Sequence, residues 1–188
     1  MRHITIKTPN KIKRMVYTKL ICFDLDGTLF NTPTPHAGKI IWKEKTGFDW
    51  PYGGGWWSKS ETLNTDIFDI HMNEWVHKKY LEAVADPNAY VILATGRLSK
   101  VPKMRENIMK ILNMNNISFD EVHLNWGGDT FNFKTKLFEE TMKKLKVSEL
   151  TMFDDRSEHL TKFKKWAEFR PQKIKIVDVI NKKEFINI

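Results

Sequence analysis

The segment Cys22-Phe23-Asp24-Leu25-Asp26-Gly27-Thr28-Leu29-Phe30 sets two carboxylates, separated by a single residue, where an apolar run meets a glycine. Positions i and i+2 of an extended chain point to the same side, so Asp24 and Asp26 face one spot beyond the end of the run. Gly27 lets the chain turn there without a Cβ clash. Two carboxylates this close repel each other unless a cation lies between them or one keeps its proton. Magnesium and a phosphoryl substrate meet that demand, because hard oxygen donors bind the metal and substrate oxygens complete its shell. Asp and Gly also fill ordinary turns, but the apolar run in front puts this pair at a strand terminus.

Three further groups of the same chemical kind follow. Val91-Ile92-Leu93-Ala94-Thr95-Gly96-Arg97 ends an apolar run with a hydroxyl and a glycine-freed backbone amide, suited to hold a phosphate oxygen, with Arg97 beside them. Lys134 and Lys136 open a helical stretch, and a lysine there would offset charge on a nucleophile and on a transferring phosphoryl group. Sequence leaves open which of the two does so. Leu150-Thr151-Met152-Phe153-Asp154-Asp155-Arg156 ends another apolar run in a second acidic pair. There Asp154 would complete the metal site, and Asp155 would orient its neighbours or a bound water.

The elements that must position these groups read as alternating strands and helices. Lys19–Phe23, Tyr90–Ala94, Glu121–Leu124, Leu150–Phe153 and Ile174–Val179 are rich in β-branched or apolar residues. The first, second and fourth are nearly continuous apolar runs, as in strands buried on both faces of a parallel sheet. Between them, Phe68, Met72, Val76, Tyr80 and Val84 recur every four residues and predict a helix over about 66–86. Residues 100–114 and 134–146 also read as helices. A fifth, capped by Asp155 or Ser157, carries Leu160, Phe163 and Trp166. The alternation predicts an α/β fold, a doubly wound, Rossmann-like and mostly parallel five-stranded sheet with helices on both faces. Residues 31–65 break the rhythm with three of the seven prolines, a triple glycine and four of the seven tryptophans. They read as a small Trp-rich insertion with one helix near Gly38–Thr46, in place of a full cap domain. An alternating strand is also indicated at His3–Lys7.

At 188 residues the expectation is one domain spanning 1–188, with 1–17 as a basic N-terminal extension. No stretch is apolar enough to cross a membrane, and the basic N-terminus lacks the apolar core of a signal peptide. The single cysteine, Cys22, allows no intrachain disulfide and no zinc cluster, so a reducing, cytoplasmic setting is expected. Thirty-one basic against 23 acidic residues give a formal charge of +8. The first acidic residue is Asp24, preceded by six lysines and arginines. A field of that sign favours encounter with polyanions, nucleic acid above all, although it also serves solubility.

In this order the groups resemble the four motifs of the haloacid dehalogenase (HAD) superfamily. The DxDGT signature falls at Asp24–Thr28, the strand-final threonine at Thr95, the lysine at Lys134 or Lys136, and the acidic pair at Asp154–Asp155. The resemblance covers about residues 18–180. Within the superfamily, Leu29-Phe30-Asn31-Thr32-Pro33, Gly55-Trp56-Trp57-Ser58-Lys59, His123-Leu124-Asn125 and Asp154-Asp155-Arg156-x-x-His159 resemble the HAD domain of Swiss Army knife RNA-repair proteins. Lys134, which follows the aromatic Phe133, fits that subgroup better than Lys136. The resemblance implies a phosphohydrolase in which Asp24 is the nucleophile and Asp26 the acid and base. Mg2+ is held by Asp24, Asp154 and the Asp26 carbonyl, while Thr95 and Lys134 bind the phosphoryl oxygens. Asp155, Gly96 and Arg97 support the phosphate site.

An insertion of about 35 residues is too small for a full lid domain. The resemblance then implies a phosphorylated nucleic acid end as substrate, because members of the superfamily with open sites generally accept macromolecular ends. Trp50, Trp56 and Trp57 would stack bases, or else pack the insertion onto the domain. Arg156 and His159 would contact substrate, or else shape the start of their helix. Two alternatives stay open: a small-molecule phosphatase with a compact lid, and a non-catalytic nucleic-acid-binding module on the same scaffold.

Overall fold

The computed structural model describes residues 16–187, so the strand expected at His3–Lys7 lies outside the described residues. In chain order the strands are β1 (Lys19–Phe23), β2 (Phe30–Asn31), β3 (His71–Met72), β4 (Ala89–Leu98), β5 (Glu121–Asn125), β6 (Glu149–Asp154), β7 (Lys173–Asp178) and β8 (Lys183–Ile186). The helices are α1 (Pro35–Thr46), α2 (Glu74–Val84), α3 (Met104–Met114), α4 (Thr130–Leu145) and α5 (Ser157–Glu168). The main sheet has the order β5-β4-β1-β6-β7-β8. It is parallel except for β8, which runs antiparallel to β7.

The two-residue period of a strand divides the core. On β1, Leu20 and Cys22 face a cluster formed with α4 and α5 through Leu137, Phe138, Leu160 and Phe163. Ile21 and Phe23 face the opposite cluster, formed with α2 and α3 through Val76, Tyr80, Ile108 and Leu112. β4 divides in the same way, Ile92 and Ala94 against Val91 and Leu93. Each strand therefore presents apolar side chains to both layers, which is why these runs lack polar alternation. The chain builds outward from β1 through β4 to β5, then returns to the other side of β1 with β6. That reversal places the ligand crevice of such folds at the carboxyl ends of β1, β4 and β6.

Several elements differ from the sequence expectation. Among the described residues the sheet has six strands, not five. The added β8, Lys-Glu-Phe-Ile, is mostly exposed, and its charged residues hide an edge strand in sequence. The helix expected over 66–86 begins only at Glu74, because the Asn73 side chain caps it by accepting from the Val76 amide. Phe68 and Met72 continue the four-residue spacing but serve other contacts. Met72 lies on β3, which pairs with β2, and Phe68 packs against Trp42 and Trp56. The insertion is thus stalked on the short β2–β3 ribbon and contains α1 and two 3-10 turns, Trp56–Ser58 and Ser60–Leu63. Neither Asp155 nor Ser157 caps α5. Arg156 is the N-cap, without a side-chain hydrogen bond, and Ser157 is the first helical residue. Among the described residues no helix is long and apolar enough to cross a membrane.

Candidate active site

Asp24 is the first residue beyond β1, held to β6 by the hydrogen bond from its amide to the Phe153 carbonyl at 3.1 Å. The chain then curls back through Gly27, whose φ of 68° is left-handed. Its amide meets the Phe30 carbonyl at 2.9 Å, and the Leu29 amide returns to the Asp24 carbonyl at 3.3 Å. A Cβ at Gly27 would run into the Asp155 carboxylate, so the glycine also allows the two acidic turns to touch.

The Lys134 ammonium stands between two buried carboxylates, 2.7 Å from Asp24 Oδ1 and 2.8 Å from Asp154 Oδ2. It arrives from the start of the second turn of α4, a helix capped by the Asp129 side chain. Lys136, two residues on, points away: it is exposed and lies near Glu140. Burial pushes Asp24 up to about 7, with the Lys134 charge opposing. For Asp154 burial acts in the same direction, but Lys134 and the Arg156 amide outweigh it and hold the carboxyl below its usual range. Burial alone would depress the Lys134 ammonium, yet its two carboxylate partners raise it above the ordinary lysine value. Asp155 is pushed up to about 6, first by burial and then by the Asp154 charge.

Asp26 belongs to a different ion pair. The buried Arg97 guanidinium donates from Nε to Oδ2 and from Nη2 to Oδ1, each at 2.8 Å, and the Thr32 hydroxyl donates to Oδ1 at 2.8 Å. The Asp26 side chain therefore does not join Asp24 and Asp154 as a third carboxylate around a cation, because Arg97 already answers its charge. Arg97 Nη1 continues to the Thr62 hydroxyl at 2.7 Å and the Lys59 carbonyl at 3.4 Å, both in the insertion. The ring of Trp57 lies 5.5 Å from the guanidinium carbon.

A cavity of about 170 Å3 is lined by Asp24, Asp26, Thr95, Gly96, Arg97, Lys134 and Asp154, together with Trp57, Thr130, Arg156 and His159. Groups from five separate stretches of chain thus converge. The Thr95 hydroxyl is buried and accepts from the Arg97 amide at 3.2 Å. At Gly96 a Cβ would stand 2.8 Å from Thr130 Oγ1, so the glycine admits α4 to the cavity wall. His159 is kept below the usual histidine range by burial, and its Nδ1 is buried without a partner. Trp56 does not reach the cavity. It is buried, its Nε1 donates to the Pro33 carbonyl at 3.0 Å, and it packs among Trp50 and Phe68. Thr62 was not singled out by sequence, and Thr32 entered only within the Leu29–Pro33 motif, with no role of its own. A larger cavity of about 280 Å3, lined by Lys19, Asp86, Glu149 and Lys173, lies at the amino ends of the strands, away from these groups.

The donor set suits a hard divalent cation. Asp24 and Asp154 share one ammonium, and Asp155 Oδ1 is buried with no hydrogen-bond partner, so negative charge is in excess. Among the described residues no three His, Cys, Asp or Glu side chains form a ready cluster. A cation would therefore rely on two side chains plus backbone and substrate oxygens.

A family model described as HAD domain family 1 in Swiss Army Knife RNA repair proteins matches residues 34–188. The chain belongs to this family. The match begins after Asp24–Thr28, so within this HAD domain the assignment of the β1 terminus stands on geometry and on the motif itself. Two solved structures share the fold. A chain of the "Pnkp1/Rnl/Hen1 complex" is 19% identical with a TM-score of 0.56, over 86% of this chain and 46% of that one. A chain of the "Pnkp1/Rnl/Hen1 RNA repair complex" is 21% identical with a TM-score of 0.53, over 83% and 44%. This HAD domain spans under half the length of the solved chains it matches.

Proposed function

We propose that this HAD domain is a magnesium-dependent phosphohydrolase that removes a terminal phosphate from RNA or another polynucleotide. The observation that carries the reading is the Lys134 ammonium bridging Asp24 and Asp154 in the shared cavity. A carboxylate, a cation-binding partner and a fixed positive charge in one recess are the parts that phosphoryl transfer requires. The cavity, at about 170 Å3, is below the ~300 Å3 at which pockets begin to enclose whole ligands, which suits a phosphate on the end of a larger molecule. The RNA-repair family supports the same substrate class.

In this reading Asp24 attacks phosphorus in line, the bond to the leaving oxygen breaks, and an aspartyl-phosphate forms. Lys134 offsets charge on the nucleophile and on the phosphoryl oxygens, and Thr95 with the Gly96 amide orients them. Asp26 enters the cycle protonated on Oδ2, gives that proton to the leaving oxygen, and recovers one from the water that hydrolyses the acyl phosphate; Arg97 stabilises the carboxylate form between the two steps. Of its two oxygens, Oδ1 accepts two hydrogen bonds and Oδ2 only one, so Oδ2 keeps a lone pair for that proton. Asp24, Asp154 and the Asp26 carbonyl would hold Mg2+, which when bound stabilises charge gathering on the phosphoryl group. Trp57, Arg156 and His159 line the approach and would contact the strand.

The test is phosphate release from a terminally phosphorylated oligonucleotide and from the matching nucleoside monophosphate. The oligonucleotide should be turned over with the higher kcat/KM, and Asp24→Ala or chelation should abolish release. Activity of Asp24→Ala near that of the unaltered protein would sink the covalent mechanism. Preference for the monophosphate would replace the polynucleotide with a small-molecule substrate.

A further inference from the structure

The His123-Leu124-Asn125 segment singled out in the sequence has no part in the chemistry above, yet it builds something. Asn125 ends β5 and is buried, and both ends of its amide shape the loop that follows. Its Oδ1 accepts from the Gly127 amide at 2.9 Å, and its Nδ2 donates to the Gly128 carbonyl at 3.1 Å. The Asn125 carbonyl accepts from the Ser99 amide at 2.8 Å, fixing the loop to the end of β4. Gly127 and Gly128 have φ of 142° and 82°, and a Cβ on either would meet nothing within 4 Å, so the loop stands in open space.

The residue held out by this clamp is Trp126, 51% exposed. Its ring packs perpendicular to that of buried Phe133, with centroids 4.8 Å apart and planes at 89°. The Lys136 ammonium lies over the ring, 5.6 Å from its centroid, so a stacking base would move this long, exposed side chain aside towards its phosphodiester. Burying a tryptophan is strongly favourable, so a rigid loop that displays one offers a preformed flat surface with little ordering cost on binding. The same connection continues directly into the helical turn that carries Thr130 and Lys134 to the cavity. An exposed aromatic ring with a mobile lysine ammonium against it matches a single polynucleotide strand: base on ring, phosphodiester on ammonium.

We propose that Trp126 and Lys136 form a stacking subsite for a nucleobase of the single-stranded polynucleotide whose terminal phosphate enters the cavity. The subsite rests on the polynucleotide reading and extends it by naming where the strand is gripped. Because every base has a flat π face, the subsite is tolerant of sequence.

The test uses the full chain, a phosphorylated single-stranded oligonucleotide and p-nitrophenyl phosphate, which has no base. Trp126→Ala should lower kcat/KM for the oligonucleotide on the order of ten-fold more than for the aryl phosphate, mainly through KM. Trp126→Phe should retain most of the difference, since a ring remains. Lys136→Gln should flatten the salt dependence of the oligonucleotide KM. Equal losses on the two substrates, or none, would overturn the subsite while leaving the polynucleotide reading intact. If the unaltered protein itself shows no preference for the oligonucleotide, that reading fails and the subsite falls with it.

Discussion

Arg97 grips both oxygens of Asp26, Nε to Oδ2 and Nη2 to Oδ1 at 2.8 Å each, across 71 residues of sequence. The same guanidinium is tied to Thr62 and lies beneath Trp57, so the state of the insertion is mechanically joined to the proposed acid and base. Removing one member of such a buried pair leaves an uncompensated charge, at a cost of about 3–5 kcal/mol. Arg97→Met should therefore destabilise the fold by about that much, and the Arg97→Met/Asp26→Asn double variant by clearly less than the sum of the singles. Denaturant midpoints of the four proteins measure the coupling. Simple additivity would mean that the two side chains do not depend on each other.

This pair also marks where sequence stops being informative. β1, β4 and β6 were readable because both layers demand apolar side chains from them, and the carboxylates at the ends of β1 and β6 follow from that placement. Sequence placed Arg97 at the phosphate site; only the fold reveals that it is buried against Asp26. Trp56 and Trp57 are neighbours of identical type, yet one is core and the other lines the cavity, a division set by a 3-10 turn that composition does not encode. Spacing alone left Lys134 and Lys136 open and the resemblance favoured Lys134; the axis of α4 is what turns Lys134 to Asp24 and Lys136 away. Two residues span about 200° of a helix, so only one of them can face Asp24.

Lys134 supports two carboxylates at once, so its loss should be felt in both rate and stability. Lys134→Met should lower kcat by about 100-fold or more, the scale of a lost charge-stabilising donor. It should also make the fold depend more steeply on divalent cation, because a bound cation would replace the missing positive charge. Thermal midpoints with and without magnesium check this. The variant should gain more from the ion than the unaltered protein does; an equal gain would argue that the ion and the ammonium act on different carboxylates.

Gly38 lies on α1 with the Trp56 ring directly over its Cα, and a Cβ there would intrude into that ring. The ring is not free to retreat, since Nε1 is bonded to the Pro33 carbonyl and Trp50 packs 4.6 Å away. Alanine ordinarily strengthens a helix by about 0.5–1 kcal/mol relative to glycine, whereas overpacking costs about 1–3 kcal/mol. Gly38→Ala should therefore lower the thermal midpoint. It should also reduce turnover, because displacement of Trp56 carries to the adjoining Trp57 and its contact with Arg97. A raised midpoint would show that helix propensity outweighs the contact.

Asp24 ties the proposed activity to a stability cost that can be read against pH. Its carboxyl is held at about 7 by burial, against about 4 in an unfolded chain. Between those values the native protein keeps a proton that the unfolded chain has lost, so stability falls as pH rises through the window. The full gap corresponds to about 4 kcal/mol. Asp154 acts in the opposite sense, but its depressed value confines that effect to acid below about pH 4. Asp24→Asn, which fixes the neutral form, should accordingly be inactive yet more stable than the unaltered protein at pH 8 in the presence of chelator, and nearly equal to it at pH 5. Magnesium should narrow the difference at pH 8 by stabilising the carboxylate form alone. Denaturation midpoints at the two pH values decide the matter: an asparagine variant less stable at pH 8 would mean that the ion pair with Lys134, and not burial, governs Asp24.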